Sequence, residues 1–360
     1  MRTFINSLDP GEPAWLDEIR SSALQDNVPI IRMEMGSLLR FLLTLRRPSS
    51  ILEVGTAVGY SALFMSEYMP ENCHITTIEK YEKRIPVAKE NFKKAGRENR
   101  ITLLEGDALE ILKKYGANSL RIRLWNDPYS EDGKPYGAGT SDFTKLVALA
   151  SAGKKLGYSY LLDLHYSDFW ADPGKQFPPK EWAYADANAL EKYVYDYTKD
   201  VLLKLKRLDL LPEMVQVGNE ITNGLMWPHG KWDNVDNIAR FISAGIRAVR
   251  EVSPDSRVML HLDCGGNNAR CREWFDAYVQ RGEDFDVIGL SYYPFWHGTI
   301  DDLTNNMNDL SQRYQKDVIV AEVSMGFTME DYADREKLSP EQRKGMATKP
   351  CLLYTSDAAD

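Results

Sequence analysis

The sequence predicts an α/β fold built on parallel strands, and three observations favour this class. Short apolar segments of strand length alternate with segments of helical periodicity along most of the 360 residues. A turn with two glycines, Gly55 and Gly59, follows the first predicted strand. In the last two thirds of the chain, six predicted strands each end in polar or aromatic residues. Strands that alternate with helices normally run in the same direction, so parallel sheets are expected.

The composition is typical of a soluble globular protein, with 43% hydrophobic and 27% charged residues. A net charge of -9 without a long basic segment argues against nucleic acid or an anionic membrane surface as a partner. No secretion signal is visible at the start, and no apolar segment approaches the ~18 residues of a membrane span, so the compartment stays undetermined. The four cysteines are expected to be free thiols, with pairing of Cys264 and Cys271 as the alternative.

The first third of the chain predicts a repeated strand and helix pattern. Residues 51–54 are expected to form a buried strand, and residues 61–68 the helix that follows the glycine turn. A second strand is predicted over 74–79, a helix over 81–95 and a third strand over 101–104. The alternation indicates a small parallel sheet.

The glycine turn is a candidate ligand site. Gly55 and Gly59 let the backbone approach a ligand closely, and Glu79, at the end of the second strand, can accept hydrogen bonds from ribose hydroxyls. Asp107 follows the third strand and can contact an adenine. An ordinary tight turn with a solvent-facing Glu79 is the alternative interpretation.

Three segments of this region, "ILEVGTAVGYSALFM", "ITTIEK" and "ITLLEGDALEIL", resemble the S-adenosylmethionine-dependent O-methyltransferases of the caffeoyl-CoA and catechol type. The resemblance covers about residues 1–112. It implies S-adenosylmethionine contacts from Glu53, Gly55, Gly59, Glu79 and Asp107. Such enzymes also need a fourth strand that ends in a metal-binding Asp, and nothing like it follows Leu112. We therefore expect residues 1–112 to form half of a Rossmann-like methyltransferase domain that binds its cofactor weakly at most.

The six later strands predict a (β/α)8 TIM barrel. Their segments are "SLRIRLWND", "SYLLDLHYSD", "EMVQVGNE", "RVMLHLD", "DVIGLSYYP" and "DVIVAEVS", with helical patterns between them, as over 187–208 and 238–249. A barrel of this class gathers its active-site residues at the C-terminal ends of its strands. A doubly wound open sheet is the structural alternative.

Two carboxylates at strand ends are candidate catalytic groups, Glu220 in "VQVGNE" and Glu322 in "VIVAEVS". Hydrolysis of a glycosidic bond with retention needs an acid for the leaving oxygen and a nucleophilic carboxylate, roughly 5 Å apart. Burial and a neighbouring negative charge would keep the acid protonated, a role that we assign to Glu220, while Glu322 is expected to be the nucleophile. Pairing with an arginine or capping of a helix is the alternative for each.

Residues beside the two glutamates support this chemistry. Asn219 is placed to bind the 2-hydroxyl of a sugar, and Tyr292 or Tyr293 can donate a hydrogen bond to Glu322. The segment "FWADPGKQFPPKEW" predicts a rim loop that can stack sugar rings, with a loop packed on itself as the alternative. No His, Asp or Cys cluster has metal-ligand spacing, so no metal is predicted.

Five motifs, "LRIRLWNDP", "LLDLHYSDFWADPGKQ", "VQVGNEITNGLMWP", "HLDCGGN" and "GLSYYPFWHG", closely resemble glycoside hydrolase family 53, the endo-β-1,4-galactanases that cut arabinogalactan and pectic galactan. The resemblance spans about residues 113–330. It implies Glu220 as the acid/base, Glu322 as the nucleophile and galactan or arabinogalactan as the polysaccharide bound. It also implies that the glycosidase needs no cofactor, and members of this family are usually secreted. It also implies substrate contacts from Arg123, Asn126, His165, Asp168, Asn219, His261, Asp263 and Tyr292, and Trp296 is a further candidate contact.

Structural alternatives stand beside these contacts. Arg123 can serve only to neutralise the two glutamates, His165 and His261 can be core histidines, and Trp296 can pack beneath a loop.

The segment "LEILKK" at 109–114 belongs to both resemblances, and neither pattern is whole. We expect an incomplete barrel, strands two to seven, over 113–349 and a non-native tail over 350–360. Our hypothesis is that two unrelated genes are joined at this stretch. The open sheet edges expected of such a barrel would favour aggregation and lower its activity.

Overall fold

The computed structural model describes residues 12–26, 28–31, 36, 39–40, 43, 47–136 and 140–323, so the expected tail over 350–360 lies outside the described residues. The described chain divides at Gly116 into two compact units, and each unit has its own parallel sheet. The "LEILKK" segment forms most of a short helix, Ala108–Lys114, in the first unit.

The first unit is a three-stranded parallel sheet with helices between its strands. Its elements are α1 (Ala14–Gln25), β1 (Ser50–Val54), α2 (Tyr60–Tyr68), β2 (His74–Glu79), α3 (Ile85–Lys94), β3 (Ile101–Glu105) and α4 (Ala108–Lys114). The strand order is β1-β2-β3, which confirms the parallel sheet that the sequence predicts. Helix α3 begins four residues later than expected, because Pro86 occupies the first turn, where its missing N–H costs no hydrogen bond.

Gly59 is required by the turn that leads into α2. Its φ is +85°, in the left-handed region, and it caps the N-terminus of that helix. A Cβ at this position would lie 2.5 Å from the ring of Phe92, which is buried in the core of this unit. Both the backbone conformation and the packing therefore exclude a larger residue.

The second unit alternates strands and helices. Its strands are β4 (Ser119–Leu124), β5 (Ser159–Leu164), β6 (Met214–Val217), β7 (Arg257–Leu262), β8 (Val287–Tyr292) and β9 (Asp317–Val323). Its helices are α5 (Phe143–Lys155), α6 (Ala187–Arg207), α7 (Val235–Val252), α8 (Asn268–Val279), α9 (Pro294–His297) and α10 (Ile300–Tyr314), with 3-10 turns at Lys180–Trp182 and Ile221–Asn223.

The six strands form one curled parallel sheet in sequence order, β4 to β9. Successive strands that neighbour each other, with helices as connections, are the arrangement of a (β/α)8 barrel, so the predicted fold class is confirmed. The four inner strands, β5 to β8, are buried on both faces, as expected when helices cover the outside and side chains fill the inside, whereas β4 and β9 are partly exposed.

Helices α6 and α7 show how the sequence pattern becomes packing. Leu190, Val194 and Val201 form a buried stripe along α6, and Asp186 caps its N-terminus by accepting the Ala189 N–H. Leu208, which the periodicity places on the same stripe, is half exposed because the helix ends one residue earlier.

Cys73, Cys264 and Cys271 are free thiols, as expected, and Cys351 lies outside the described residues. The Sγ atoms of Cys264 and Cys271 are 3.3 Å apart. In the part of the chain that the structure describes, no helix has the length and apolar character needed to cross a bilayer.

Candidate active site

The C-terminal ends of parallel strands meet at one edge of a sheet, and in the second unit this edge collects a network of buried polar side chains. The network includes both predicted carboxylates. Its members are Arg121, Asp163, His165, Gln216, Asn219, Glu220, His261, Ser291, Tyr293 and Glu322.

A β-bulge in the pairing of β8 with β9 determines which face of the sheet carries the Glu322 side chain. Leu290 pairs with Val320, but Ser291 pairs with Glu322, so Ala321 is an extra residue in β9. Without this bulge, alternation would turn the Glu322 side chain to the opposite face of the sheet. The bulge therefore places Glu322 on the same face as Ser291.

Hydrogen-bond donors hold both oxygens of Glu322. Its Oε1 accepts from Arg121 Nη1 at 2.6 Å, and its Oε2 accepts from the Tyr293 hydroxyl at 2.8 Å. Burial opposes ionisation, but the Arg121 charge and the Tyr293 hydrogen bond outweigh it, so the pKa of Glu322 is lowered. Burial and the Glu322 charge raise the pKa of Tyr293, which therefore stays protonated as a donor.

Glu220 lies just beyond β6 in an unusual backbone conformation. Its φ is +48°, in the left-handed region, and its side chain is buried. Such strain in a residue other than glycine is found preferentially at functional sites. Burial, with the nearby charge of Glu322, raises the pKa of Glu220 well above its ordinary value. One hydrogen bond works against this shift, since the Ser291 hydroxyl donates to Oε1 of Glu220 at 2.7 Å.

Arg121 is the central cation of the network. Besides Glu322, it contacts Asp163 Oδ2 at 2.9 Å, Asn219 Oδ1 at 2.8 Å and Gln216 Oε1 at 3.0 Å. The neutralising role considered for Arg123 therefore falls to Arg121. Arg123 lies two residues further along β4, and its guanidinium stacks over the Trp170 ring with 3.9 Å to the centroid.

The two predicted histidines lie inside the network. The His165 ring contacts Asp163 Oδ2 at 3.0 Å through Nε2 and accepts the Ala171 N–H at Nδ1, so both of its nitrogens have protein partners. His261 is fully buried, and burial together with the Arg121 charge lowers its pKa to about 4. These positions correspond to the core alternative for the histidines rather than to exposed sugar contacts.

Of the two tyrosines that were candidate donors to Glu322, Tyr293 makes that hydrogen bond. The Tyr292 hydroxyl donates to the Gly298 carbonyl at 3.1 Å, and its side chain is buried, whereas Tyr293 reaches Glu322. Strand alternation explains the different contacts of the two tyrosines, because Ser291 and Tyr293 lie on the inner face of the sheet and Tyr292 points to the outer face. Trp296 is exposed and packs edge-on against Tyr293, with 5.7 Å between ring centroids.

The remaining predicted contacts lie at the rim. Asp168 accepts the backbone N–H groups of Asp127 and Lys180 and so ties two rim loops together, and Asn126 donates to Glu181. Asn219 is fully buried within the network. Asp263 is distinct, because its Oδ1 is buried and has no hydrogen-bond partner among the described residues, so it can accept from a ligand hydroxyl.

Sequence reasoning missed Arg121, Asp163, Gln216 and Ser291. A signal for three of them existed in "LRIRL", "LLDLH" and "VQVGNE", where polar residues interrupt an apolar strand at inward-facing positions. Isolated buried polar residues of this kind normally require partners from neighbouring strands. Within the described residues, no three His, Cys, Asp or Glu side chains converge as metal ligands would.

The candidate cofactor residues converge at the C-terminal edge of the first sheet. Gly55 and Gly59 both have positive φ, and Glu79 accepts the backbone N–H groups of Ala57, Lys80 and Tyr81. Glu53 accepts from the Ser61 and Thr77 hydroxyls, while Asp107 caps α4 at the Leu109 N–H. The glycine turn fits a closely bound ligand, but most of the acceptor capacity of Glu79 is already used by the protein.

Two family models match the chain. That of glycosyl hydrolase family 53 matches residues 87–352, and that of an O-methyltransferase family matches residues 6–122. The two matches overlap over 87–122.

Relatives and solved structures agree with the larger match. The endo-β-1,4-galactanase of Bacillus subtilis is 39% identical over 225 residues, which cover 62% of this chain and 52% of that protein. A probable arabinogalactan endo-β-1,4-galactanase A of Aspergillus terreus is 39% identical over 227 residues, 60% of this chain and 63% of that protein. The family 53 catalytic domain of Ignisphaera aggregans superposes with a TM-score of 0.61 at 42% identity, covering 66% of this chain and 64% of that one. The chain thus spans about half to two thirds of the length of these relatives.

Proposed function

Because the chain belongs to glycosyl hydrolase family 53, we propose that its second unit hydrolyses β-1,4-galactosidic bonds within galactan or arabinogalactan and retains the anomeric configuration. The observation that supports this most directly is that two carboxyl groups of one hydrogen-bond network have pKa values shifted in opposite directions. Glu322 has donors on both oxygens and a lowered pKa, whereas Glu220 is buried near a negative charge and has a raised pKa. Such a pair supplies an acid and a nucleophile at the same pH.

In the first step, the ionised Glu322 attacks the anomeric carbon and the bond to the leaving oxygen breaks. Glu220 transfers its proton to that oxygen, which leaves as the free hydroxyl of the departing chain. Arg121 and Tyr293 keep Glu322 ionised and oriented before the attack. In the second step, Glu220, now a carboxylate, takes a proton from water, and the water oxygen displaces Glu322 from the sugar.

The test is galactan hydrolysis by the full chain, followed by reducing-end release and by proton NMR of the first anomer formed. We expect the β anomer to appear first, with a loss of at least ~100-fold in kcat/KM for Glu220→Gln and for Glu322→Gln. Glu213→Gln is the matched control, because Glu213 is exposed at the opposite end of the same strand as Glu220. An initial α anomer, or full activity in either site variant, would contradict the proposal.

A second proposal concerns the first unit, which we expect to bind S-adenosylmethionine weakly at the turn between β1 and α2. The positive φ values of Gly55 and Gly59 support close approach of a ligand, and the engagement of Glu79 by three backbone N–H groups argues for low affinity. Equilibrium dialysis of the full chain with labelled S-adenosylmethionine tests this. Saturable binding displaced by S-adenosylhomocysteine supports the proposal, and binding that never saturates rejects it.

A further inference from the structure

Ser291 lies between His261 and Glu220, and none of the implied contacts includes it. Its side chain is fully buried on the inner face of β8, opposite Glu322 in the ladder. The hydroxyl oxygen is 2.9 Å from Nε2 of His261 and 2.7 Å from Oε1 of Glu220. A buried hydroxyl with two such partners has a fixed direction, which depends on where the histidine carries its proton.

The surroundings of His261 fix its tautomer. The backbone N–H of Glu220, which can only donate, points at Nδ1 from 3.4 Å. Gln216 Nε2 at 3.2 Å and Arg121 Nη2 at 3.5 Å also face Nδ1, although both have nearer acceptors. Among the described residues one acceptor, Asn219 Oδ1 at 3.0 Å, also faces it, and that oxygen already accepts from Arg121 and Gln216. With the pKa of His261 lowered to about 4, the ring is neutral near pH 7, so Nδ1 accepts and the proton is on Nε2.

The remaining directions follow from this tautomer. The Nε2–H of His261 donates to the Ser291 oxygen, and the Ser291 hydroxyl has only its own proton left to give. That proton goes to Oε1 of Glu220. An oxygen that accepts a hydrogen bond in this way is a poor place for the acidic proton of the same carboxyl group, so Oε2 carries it.

We propose that Ser291, oriented by His261, is the positioning residue of the acid/base, because its hydroxyl holds Oε1 of Glu220 and leaves Oε2 to carry the transferable proton. The assignment of Glu220 as acid/base rests on the proposed function. The hydroxyl of Ser291 acts on the reaction through Glu220, its hydrogen-bond acceptor. It leaves Oε2 of Glu220 as the oxygen that carries the proton, and it lowers the pKa of Glu220.

Several groups set the acidity of Glu220, and the effect of Ser291 must be measured among them. Glu322 from β9 and Asp263 after β7 raise its pKa through their negative charges, and Arg121 from β4 lowers it. His261 faces it as a neutral ring. The Ser291 donor stabilises the ionised form of Glu220 more than the protonated form, because a hydrogen bond to a charged oxygen is stronger, so Ser291→Ala is expected to raise the pKa of Glu220 further.

The direct test is a carbon-13 NMR titration of the full chain labelled at the glutamate side-chain carboxyl carbons, with the Glu220 signal assigned from Glu220→Gln. Ser291→Ala should shift the Glu220 titration upward by roughly one pH unit, the size expected for one hydrogen bond to a charged group. Ser243→Ala is the matched control, since Ser243 is also buried and hydrogen-bonded but lies in α7, away from the site. An unchanged titration in Ser291→Ala, or an equal shift in Ser243→Ala, would overturn the proposal.

Kinetics separate this proposal from the proposed function. Ser291→Ala should lower kcat/KM on galactan about 10-fold or more, and lower it less on a nitrophenyl galactobioside, whose leaving group needs no proton. Equal losses on both substrates would mean that Ser291 does not act through the acid. If the wild-type chain cleaves neither substrate but the titration shift is present, the proposed function fails, while Ser291 still holds Oε1.

Discussion

At the residue scale, Glu220 and Glu322 are identical side chains whose acidities are separated by their neighbours. Glu322 accepts hydrogen bonds from Arg121 and from the Tyr293 hydroxyl. Glu220 is buried, lies near the negative charge of Glu322 and accepts a hydrogen bond from the Ser291 hydroxyl. Because Arg121 keeps Glu322 ionised, the repulsion between the two carboxyl groups raises the pKa of Glu220 and leaves Glu322 charged.

Tyr293→Phe should therefore lower kcat on galactan by about 10- to 100-fold and raise the pH of the acidic limb, because Glu322 loses a donor that favours its ionised form. Tyr292→Phe is the matched control, since the Tyr292 hydroxyl donates to the Gly298 carbonyl and not to Glu322. Rate profiles against pH for both variants make the measurement. A larger loss in Tyr292→Phe would contradict the assignment.

Glu220→Gln should stabilise the second unit at pH 8, in contrast to its loss of activity. Burial raises the pKa of Glu220 in the folded state, so stability is highest below the ordinary pKa of a glutamate and is lost as the pH rises toward the folded value. A neutral Gln avoids that loss, with an expected gain on the order of 1 kcal/mol at pH 8 and little change at pH 4.

Urea denaturation followed by tryptophan fluorescence measures this gain, because every tryptophan except Trp15 lies in the second unit. Glu213→Gln serves again as the exposed control. A gain of the same size at pH 4, or a loss at pH 8, would show that Glu220 is not held neutral by its surroundings.

The sequence predicted the two glutamates as candidate catalytic groups, but it did not define the network whose contacts make their pKa values differ. Strand alternation places Arg121 and Arg123 on the same inner face of β4. Only their positions along the strand decide that Arg121, and not Arg123, contacts Glu322. Ser291 gave no signal, because one small hydroxyl in an apolar strand is common. Its partners come from other strands, and only the register brings them together.

At the element scale, the bulge at Ala321 decides which face of β9 carries Glu322. The strand itself was predictable from its apolar residues, whereas the bulge was not, because "VIVAEVS" contains no glycine or other marker of an irregular ladder. The periodicity over 187–208 predicted α6 to within one residue, whereas α3 begins four residues later than predicted because Pro86 occupies its first turn.

An Ala inserted between Ala321 and Glu322 should remove activity as fully as Glu322→Gln, because one added residue turns the carboxylate to the other face. Deletion of Ala321 should be tolerated better, since a regular ladder would still pair Glu322 with Ser291. Galactan hydrolysis by the two variants, with circular dichroism to check folding, gives the comparison. Greater activity in the insertion variant would mean that the bulge does not orient Glu322.

At the scale of the whole molecule, the described residues form two parallel sheets, and the sequence predicted both, three strands and then six. Strand and helix alternation is a strong signal over long segments, which explains this success. The two family matches overlap over 87–122, and within that stretch β3 pairs with β2 of the first sheet, while β4 begins the second. The hypothesis that two genes are joined here remains a prediction, which amplification of the source DNA across this stretch would test.

Trapping of the covalent intermediate decides whether Glu322 attacks the sugar while Glu220 supplies the proton. A 2-deoxy-2-fluoro-β-galactobiosyl donor with a good leaving group would be incubated with the full chain, and the digested protein would be analysed by mass spectrometry. We expect one disaccharide adduct on the peptide that contains Glu322, formed also in Glu220→Gln, because the good leaving group needs no proton, and absent in Glu322→Gln. An adduct on Glu220, or hydrolysis of galactan with inversion and no adduct, would contradict this division of roles.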